Sequence, residues 1–187
     1  MKTLQLPLAG VLLGLTLSAT GCSTTVKRPD GGEGLLPVGA NAPDFGATTK
    51  SGDATRLSAL KGQAVVVYFY PKDETPGCTK EACGFRDLTA EFEKAGAVIL
   101  GVSNDPMETH LRFKEKQKLP FELLSDEDAA VSRAYGVYKQ KNLYGKKSLG
   151  IERTTFIVDR TGRIAQIYPK VKVEGHVADV LAFLSEE

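Results

Sequence analysis

Two cysteines, Cys78 and Cys83, stand five positions apart in the stretch "YPKDETPGCTKEACGF". A cysteine pair can bind a metal, form a structural disulfide or carry out redox chemistry. The spacing differs from the CxxC that is typical of zinc sites and of redox motifs. On an ideal helix it separates the two Cα atoms by about 8.6 Å, which exceeds the roughly 7 Å that a disulfide tolerates without backbone movement.

The elements around this pair are predicted from apolar patterning. "AVVVYFY", Ala64 to Tyr70, is a continuous β-branched and aromatic run, typical of a strand buried on both faces. Apolar residues then recur at helical spacing between Thr79 and Ala95. The chain between strand and helix is broken by Pro71, Pro76 and Gly77. Cys78 is therefore predicted to lie at or near the N-terminus of a helix.

A sulfur in that position is suited to nucleophilic chemistry. The unpaired N–H groups of the helix N-terminus carry partial positive charge, which stabilises a thiolate, the nucleophilic form of cysteine. The same groups can bind an anion or a polarised oxygen. Thr75 can add a hydroxyl, and Pro71 and Pro76 stiffen the loop and can shield the sulfur from water. The pattern indicates an activated cysteine beside an oxygen-binding pocket.

The remaining patterns predict an α/β domain. Further strands are expected at Ala97–Ser103, 121–126, Thr154–Asp159 and Arg163–Tyr168, further helices at Pro106–Lys118, from Asp126 to Ala134 and behind Gly175, and a strand pair turning at Ser51–Asp53. Asn104 or Asp105 is predicted to cap the first of these helices and Asp126 the second. The order β-α-β-α-α-β-β-α predicts a central mixed sheet sandwiched by helices, as in the thioredoxin fold.

The N-terminal segment differs from the rest of the chain. Residues 1–22 carry Lys2, an apolar run to Leu17 and small residues ending at Cys22, which is typical of a secretory signal. Its end resembles the lipobox of bacterial lipoproteins, where Cys22 would be lipidated; the alternative is an ordinary cleaved signal. Residues 23–37, rich in Gly and Pro, are predicted to form a flexible tether, and 38–187 the folded domain.

Overall composition excludes some partners. The 187 residues include 24 basic and 23 acidic residues, a formal net charge of +1, so nothing indicates a nucleic-acid partner. No cluster of His with Cys has metal-ligand spacing, and we expect neither a metal nor a cofactor.

The cysteine stretch resembles a known family. Pro71, Thr75 and Cys78 match the PxxxTxxC signature of peroxiredoxins, and the second cysteine five residues on is similar to the Q-type, or bacterioferritin comigratory protein, subgroup. "GVSNDPMETHLRFKEKQKLPFELLSD", "YGKKSLGIERTTFIVD" and "KVKVEGH" also resemble that subgroup.

The resemblance implies a thiol peroxidase that reduces hydrogen peroxide and organic hydroperoxides. In it Cys78 is the peroxidatic cysteine, Cys83 is the resolving cysteine that closes a Cys78–Cys83 disulfide, and Thr75 and Arg153 position the peroxide. Thioredoxin or a thioredoxin-like dithiol would re-reduce the disulfide, and the subgroup implies a monomer. With the signal segment, this predicts antioxidant defence by an exported enzyme, lipid-anchored at the inner or outer membrane of a bacterial envelope.

Simpler interpretations stay open for individual residues. Arg153 could form a surface ion pair with Glu152, and Thr75 could cap the helix. Glu81, in the first turns of the helix, is left out of the catalytic set. If the helix is regular, it must unwind around Cys78 before Cys83 can reach that sulfur.

Three other roles could use this cysteine pair. A structural disulfide suits the oxidising exported compartment but conflicts with helix geometry. A thiol–disulfide oxidoreductase without peroxidase activity would use a different cysteine spacing. A copper-delivery module would need His110 or His176 as an additional ligand; we expect these histidines to be solvent-exposed or structural, with His110 on a polar helix face.

Overall fold

The computed structural model describes residues 27–48, 54–143 and 146–186. The predicted signal segment, Cys22 and the turn at Ser51–Asp53 lie outside the described residues, so their interpretation stays a prediction. None of the helices in the described ranges has the length and apolarity needed to cross a lipid bilayer.

The chain alternates strands and helices for most of its length. The strands are β1 (Gly46–Thr48), β2 (Ala54–Arg56), β3 (Ala64–Phe69), β4 (Ala97–Ser103), β5 (Glu122–Ser125), β6 (Tyr138–Leu143), β7 (Lys146–Ile151), β8 (Thr154–Val158) and β9 (Ile164–Tyr168). The α-helices are α1 (Pro76–Asp87), α2 (Thr89–Lys94), α3 (Met107–Gln117), α4 (Ala130–Ala134) and α5 (His176–Ser185). A 3-10 turn covers Leu57–Leu60.

A five-stranded mixed sheet in the order β5-β4-β3-β8-β9 forms the centre of the fold. β3 pairs in parallel with β4 and antiparallel with β8. β5 extends the parallel half, while β9 extends the antiparallel half through a turn at residues 160–162, where the sequence Arg-Thr-Gly between two strands predicts a hairpin. Gly162 sits in that turn with φ +88°, a left-handed conformation that glycine adopts without strain. The predicted thioredoxin-like α/β fold is confirmed.

Each face of the central strand supports its own core. Every residue of β3 is buried. Its alternate side chains Val66 and Tyr68 join one cluster with apolar residues of α1, α2, α3 and α5. Val65, Val67 and Phe69 join the opposite cluster. The other members of that cluster include Leu36 and Phe45 from the N-terminal segment, Tyr135 directly after α4 and Ile151 at the end of β7. The continuous apolar run is therefore explained by helices and loops covering both faces.

Two predictions about helices need correction. The single helix expected from Thr79 to Ala95 starts earlier and is divided at Leu88, whose ψ of 15° ends α1. Neither Asn104 nor Asp105 caps α3, because Pro106 occupies the N-cap position and makes no side-chain cap bond. Instead, the Asp105 carboxylate accepts hydrogen bonds from the Asp73 amide and the Ser103 hydroxyl.

The Asp126 carboxylate does serve the start of α4, although it lies four residues before the helix. It accepts hydrogen bonds from the backbone amides of Val131 and Ser132 and from the Ser132 hydroxyl. This cluster is buried and satisfies donors that the first turn of a helix leaves without intrahelical partners.

The packed region extends beyond the predicted domain start at Val38. Leu36 is only 5% exposed and its amide donates to the Tyr135 carbonyl. Close by, a Cβ atom on Gly136 would lie 1.9 Å from the Gly34 carbonyl oxygen, so glycine is required there. The end of the predicted tether is thus part of the compact structure.

The β6–β7 hairpin was not predicted. Its residues are mostly polar and lack the apolar alternation that identifies a half-buried strand. It leads through Ile151, which is 1% exposed, directly to Arg153 and β8.

Candidate active site

Cys78 is the third residue of α1, as the sequence indicated. Thr75 is the N-cap residue and Pro76 the first helical residue. The first intrahelical bond runs from the Thr79 amide to the Thr75 carbonyl, at 2.8 Å. The amides of Gly77 and Cys78 therefore come before the point where helical pairing starts, and they supply the positive end of the helix dipole beside a sulfur that is 1% exposed.

Arg153, 75 positions further along the chain, contacts this sulfur. Its Nη2 lies 3.1 Å from Cys78 Sγ. The guanidinium packs beside Gly77, where a Cβ atom would lie 3.4 Å from Nη2, an ordinary contact distance. Arg153 does not pair with Glu152, as the simpler interpretation held; the Glu152 carboxylate pairs with Lys139. The structure therefore places a cation and a helix N-terminus on the same sulfur.

Glu81 anchors Arg153 from the next turn of α1. Its Oε2 pairs with Arg153 Nη1, and its side chain is fully buried. Burial raises the pKa of Glu81 to about 7, although the Arg153 charge acts in the opposite direction. Glu81 Oε1 has no hydrogen-bond partner among the described residues. The sequence does not reveal this role of Glu81, because an acid that favours the helix N-terminus and a buried anchor of an arginine have the same sequence signature.

The Arg153 guanidinium is itself stabilised as a cation. Burial lowers its pKa, but the charges of Glu81 and Cys78 more than offset this, so the pKa lies above the usual value for arginine. One planar guanidinium thus bridges a carboxylate and a sulfur, which fixes its orientation.

The loop before α1 is held by its own hydrogen bonds. The Thr75 hydroxyl donates to the Lys72 carbonyl at 3.0 Å and makes no cap bond, so the capping interpretation of Thr75 is wrong for its side chain. Pro71 and Pro76 are exposed and Gly77 is half-buried. The Cys78 sulfur is therefore buried although both prolines of the loop are exposed to solvent.

A buried polar cluster fastens this loop to α3. The Asp73 carboxylate accepts from the Tyr70 hydroxyl at 2.7 Å and lies 2.7 Å from His110 Nδ1. Thr109 adds a third contact at 3.1 Å. His110 is 1% exposed, so the expectation that it lies on a polar helix face is wrong. Its structural role links α3 to the loop that carries Thr75.

Cys83 has a different setting on the same helix. It is half-buried, and its thiol donates to Gln117 Oε1 at 3.6 Å. Cys78 and Cys83 are both free thiols. Because both lie within the continuous helix α1, the structure corresponds to the reduced protein.

The arrangement gives the copper alternative little support. His176 Nε2 lies 2.8 Å from the Thr155 hydroxyl, and burial lowers the pKa of His176 to about 4. His110 is engaged by Asp73. In the described ranges, no group of three or more His, Cys, Asp or Glu side chains could hold a metal ion.

Comparison with known proteins gives a consistent picture. The AhpC/TSA family matches residues 38–167. A putative peroxiredoxin Bcp of Coxiella burnetii is 54% identical over 149 residues, which cover 80% of this chain and 99% of that protein. The peroxiredoxin Bcp of Escherichia coli K12 is 44% identical over 151 residues, covering 81% and 97% of the two chains.

Solved structures show the same similarity. Peroxiredoxin Q of Xanthomonas campestris superposes with a TM-score of 0.75 at 47% identity, covering 82% of this chain and 98% of that one. Another solved structure of that protein, described as the bacterioferritin comigratory protein, concerns its alkyl peroxide reduction activity. AhpC of Mycobacterium tuberculosis has a TM-score of 0.65 at 30% identity.

Proposed function

Because the chain belongs to the AhpC/TSA family, as a peroxiredoxin of the Q/Bcp type, and is therefore a thiol peroxidase, we propose that Cys78 is its peroxidatic cysteine. The observation that carries this assignment is the 3.1 Å contact between Arg153 Nη2 and Cys78 Sγ at the N-terminus of α1. Positive charge from two sources meets at one sulfur, and both favour its thiolate.

The first step is attack on the peroxide. The Cys78 thiolate attacks the terminal oxygen of ROOH, the O–O bond breaks, and the departing alkoxide takes a proton to become an alcohol. The products are the Cys78 sulfenic acid and ROH, or water when the substrate is hydrogen peroxide. Arg153 and the N-terminal amides of α1 stabilise the negative charge that develops on the leaving oxygen.

Thr75 completes the substrate site in this proposal. Its hydroxyl sits in the N-cap residue, three positions before the sulfur, and accepts as well as donates hydrogen bonds. In the reduced protein it donates to the Lys72 carbonyl, which leaves the hydroxyl oxygen able to accept from a protonated peroxide. Pro71, Pro76 and Gly77 shape the loop that presents it.

The second step forms the Cys78–Cys83 disulfide. The Cys83 thiolate attacks the sulfenic sulfur, the S–O bond breaks, and hydroxide leaves as water after taking a proton. In regular α1 the Cα separation is too large for this bond, so α1 must locally unwind. The closing reaction lies within one chain, which is consistent with a monomer.

Substrate and reductant follow from chemistry and location. The alkyl peroxide activity of the Xanthomonas relative supports organic hydroperoxides as well as hydrogen peroxide as substrates here. An external dithiol, thioredoxin or a thioredoxin-like protein, would attack the disulfide and return both cysteines to thiols. Apart from this protein reductant, the proposed reaction uses no cofactor.

The location proposal rests on residues 1–22 alone. A signal ending in small residues before Cys22 supports export and lipidation at the bacterial envelope. There the enzyme would meet membrane hydroperoxides and would need a reductant on the same side of the membrane. Radiolabelled palmitate should be incorporated by the native chain in a bacterial host and lost in Cys22→Ala; labelling of neither would leave an ordinary signal peptide as the correct interpretation.

Site-directed variants test the catalytic assignment. With the purified full chain, Cys78→Ser should abolish thiol-dependent peroxide consumption. Cys83→Ser should still reduce one equivalent of peroxide but accumulate a Cys78 sulfenic acid, detectable by dimedone labelling and mass spectrometry. Peroxide consumption by Cys78→Ser at the native rate would overturn the assignment.

A further inference from the structure

A second guanidinium, that of Arg86, binds the same residue as the other cysteine. Arg86 lies three positions after Cys83 on α1, a spacing that puts two side chains on the same helix face. Both are bound to one residue of α3. Cys83 donates its thiol proton to Gln117 Oε1, and Arg86 Nη1 donates to the Gln117 backbone carbonyl at 2.7 Å. Gln117 therefore gathers the Cys83 sulfur and a cation in one place.

The Arg86 guanidinium is held by more than this bond. Gln117 is the last residue of α3, so its carbonyl belongs to the group that has no intrahelical donor and carries the negative end of the helix dipole. Arg86 Nε also donates to Asp87 Oδ1 at 2.8 Å. The hydrogen bond that Arg86 donates to Asp87 raises the pKa of Arg86 above its usual value and the charge of Cys83 adds to this, while burial opposes both. The cation is thus fixed on the residue that also binds the Cys83 thiol.

From this geometry we infer that Arg86 is a positioning residue for disulfide formation, because it stabilises the thiolate of Cys83 that attacks oxidised Cys78. The inference rests on the proposed function. It assigns the two guanidiniums to different sulfurs: Arg153 acts on the peroxide step and Arg86 on the disulfide step. Gln117 favours the resting state, since its amide oxygen accepts a hydrogen bond only while Cys83 keeps its proton.

The proton balance follows from these contacts. When Cys83 loses its proton to solvent, the bond to Gln117 Oε1 is lost and the charged sulfur is attracted to Arg86 instead. The thiolate is then free of α3 and can attack the Cys78 sulfenic acid, which releases water as the S–S bond forms. The electrons are balanced by the peroxide already consumed in the first step.

Few other charges face Cys83. On its own helix they are Arg86, through Arg86 also Asp87, and Lys80, which lies three positions before Cys83 and pairs with Glu174 at 2.5 Å. On α3 the neighbouring Lys116 has its ammonium on Glu74 at 3.0 Å. From α5, His176 packs against Phe85, and burial lowers its pKa to about 4, so it is neutral near pH 7. Among these charges, that of Arg86 is the one bound to the same residue, Gln117, as the Cys83 thiol.

The test separates the two chemical steps by rapid mixing. The full chain in its native and Arg86→Gln forms is mixed with one equivalent of hydrogen peroxide between pH 6 and pH 9.5, then acid-quenched. Mass spectrometry after dimedone labelling counts Cys78 sulfenic acid, and non-reducing peptide mapping counts the disulfide. Arg112→Gln is the matched control, since Arg112 lies on α3, is exposed and pairs with Glu108.

We expect Arg86→Gln to form sulfenic acid at the native rate but to close the disulfide about tenfold more slowly at pH 7, as the loss of one favourable charge contact predicts. The deficit should shrink as the pH rises, because a thiol in alkaline solution forms its thiolate without a neighbouring cation. Arg86→Lys should restore most of the rate, and Arg112→Gln should behave as native.

Other outcomes overturn the inference. An unchanged disulfide rate in Arg86→Gln would show that the cation has no role, and equal slowing at every pH would show a structural role only. Slowing of both steps together would mean that α1 as a whole is disturbed. Absence of a Cys78 sulfenic acid in the native chain would instead overturn the proposed function, so the two failures are distinguishable.

Discussion

Cys78 and Cys83 share the 12-residue helix α1 but have opposite surroundings. Cys78 is 1% exposed, with a guanidinium at 3.1 Å and the helix N-terminus beside it. Cys83 is half-buried, and its thiol makes a long contact of 3.6 Å with a neutral amide. The first sulfur is fixed where a charge must be stabilised. The second is held weakly, which suits a group that has to leave its place.

The helix that joins them is stable mainly through its tertiary contacts. Pro76, Gly77 and Gly84 lie within α1, and each glycine costs about 1 kcal/mol of helix propensity relative to alanine. Gly84 allows close packing, since a Cβ atom there would lie 3.0 Å from Val177 Cγ2. Phe85, fully buried against Tyr68 and Phe92, fixes the C-terminal half. Unwinding near Cys78 therefore sacrifices little intrinsic helix stability.

The largest expected effect tests the fixed sulfur. Arg153→Ala should slow the reaction of Cys78 with peroxide by about 10²–10³, as the loss of a transition-state donor does. Stopped-flow measurement of the sulfenic acid step checks this, with Arg112→Ala as a control for loss of an exposed arginine. A rate within twofold of native would show that Arg153 does not act in the peroxide step, and the two sulfurs would then not differ in this respect.

The next effect concerns the buried anchor of Arg153. The pKa of Glu81 is about 7 in the folded protein, above the ordinary 4.5, so the native state holds a proton that the unfolded chain releases. Stability is then greatest below the ordinary pKa and falls as the pH rises to about 7, by about 2–3 kcal/mol for this group.

Urea unfolding of native protein and Glu81→Gln from pH 4 to pH 8 measures that effect. We expect the free energy of unfolding of the native chain to fall more steeply over this range than that of the variant, whose amide does not titrate. Parallel curves would show that Glu81 is ionised throughout and does not contribute to the pH dependence.

A smaller effect tests the mobility of α1. Oxidation to the disulfide should speed amide hydrogen exchange across residues 79–85 by about tenfold or more, because the local opening energy falls as helical bonds are lost. The strand β3 should keep its protection and serves as the internal control. Equal exchange of residues 79–85 in both redox states would contradict unwinding as the route to the disulfide.

The smallest effect is expected at the surface of the same helix. Lys80 pairs with Glu174 at 2.5 Å, but both side chains are largely exposed, at 59% and 76%. Exposed pairs contribute little, so Lys80→Ala should change the rate of disulfide formation by less than about twofold. A larger change in peptide mapping would mean that the exposed Lys80–Glu174 pair also controls disulfide formation, and not the contacts with Gln117 and Arg86 alone.

Local sequence patterns predicted most of the secondary structure. The run from Ala64 gave the central strand, and "AVILGVS" gave β4 with its exact bounds, Ala97–Ser103. The Asp159–Gly162 turn between β8 and β9 was also predicted from the sequence, because neighbouring residues determine it. The Asp159 carboxylate accepts a hydrogen bond from the Thr161 amide, and Gly162 adopts a left-handed conformation. The polar β6–β7 hairpin was not predicted, because it is formed by strand pairing and by the packing of Ile151 and not by a periodic apolar pattern.

By itself the sequence determined that Cys78 lies at the start of a helix that follows a buried strand. It also determined that a second thiol follows at a distance too large for a disulfide in a regular helix. These are consequences of propensity, proline and glycine placement, and fixed helical geometry over a few residues. Only the tertiary structure decided that Glu81 is a buried anchor, that Arg153 turns to Cys78 and not to Glu152, and that His110 is buried on Asp73. Those contacts join residues 37 to 75 positions apart, where the choice of partner depends on how the packed sheet brings distant segments together.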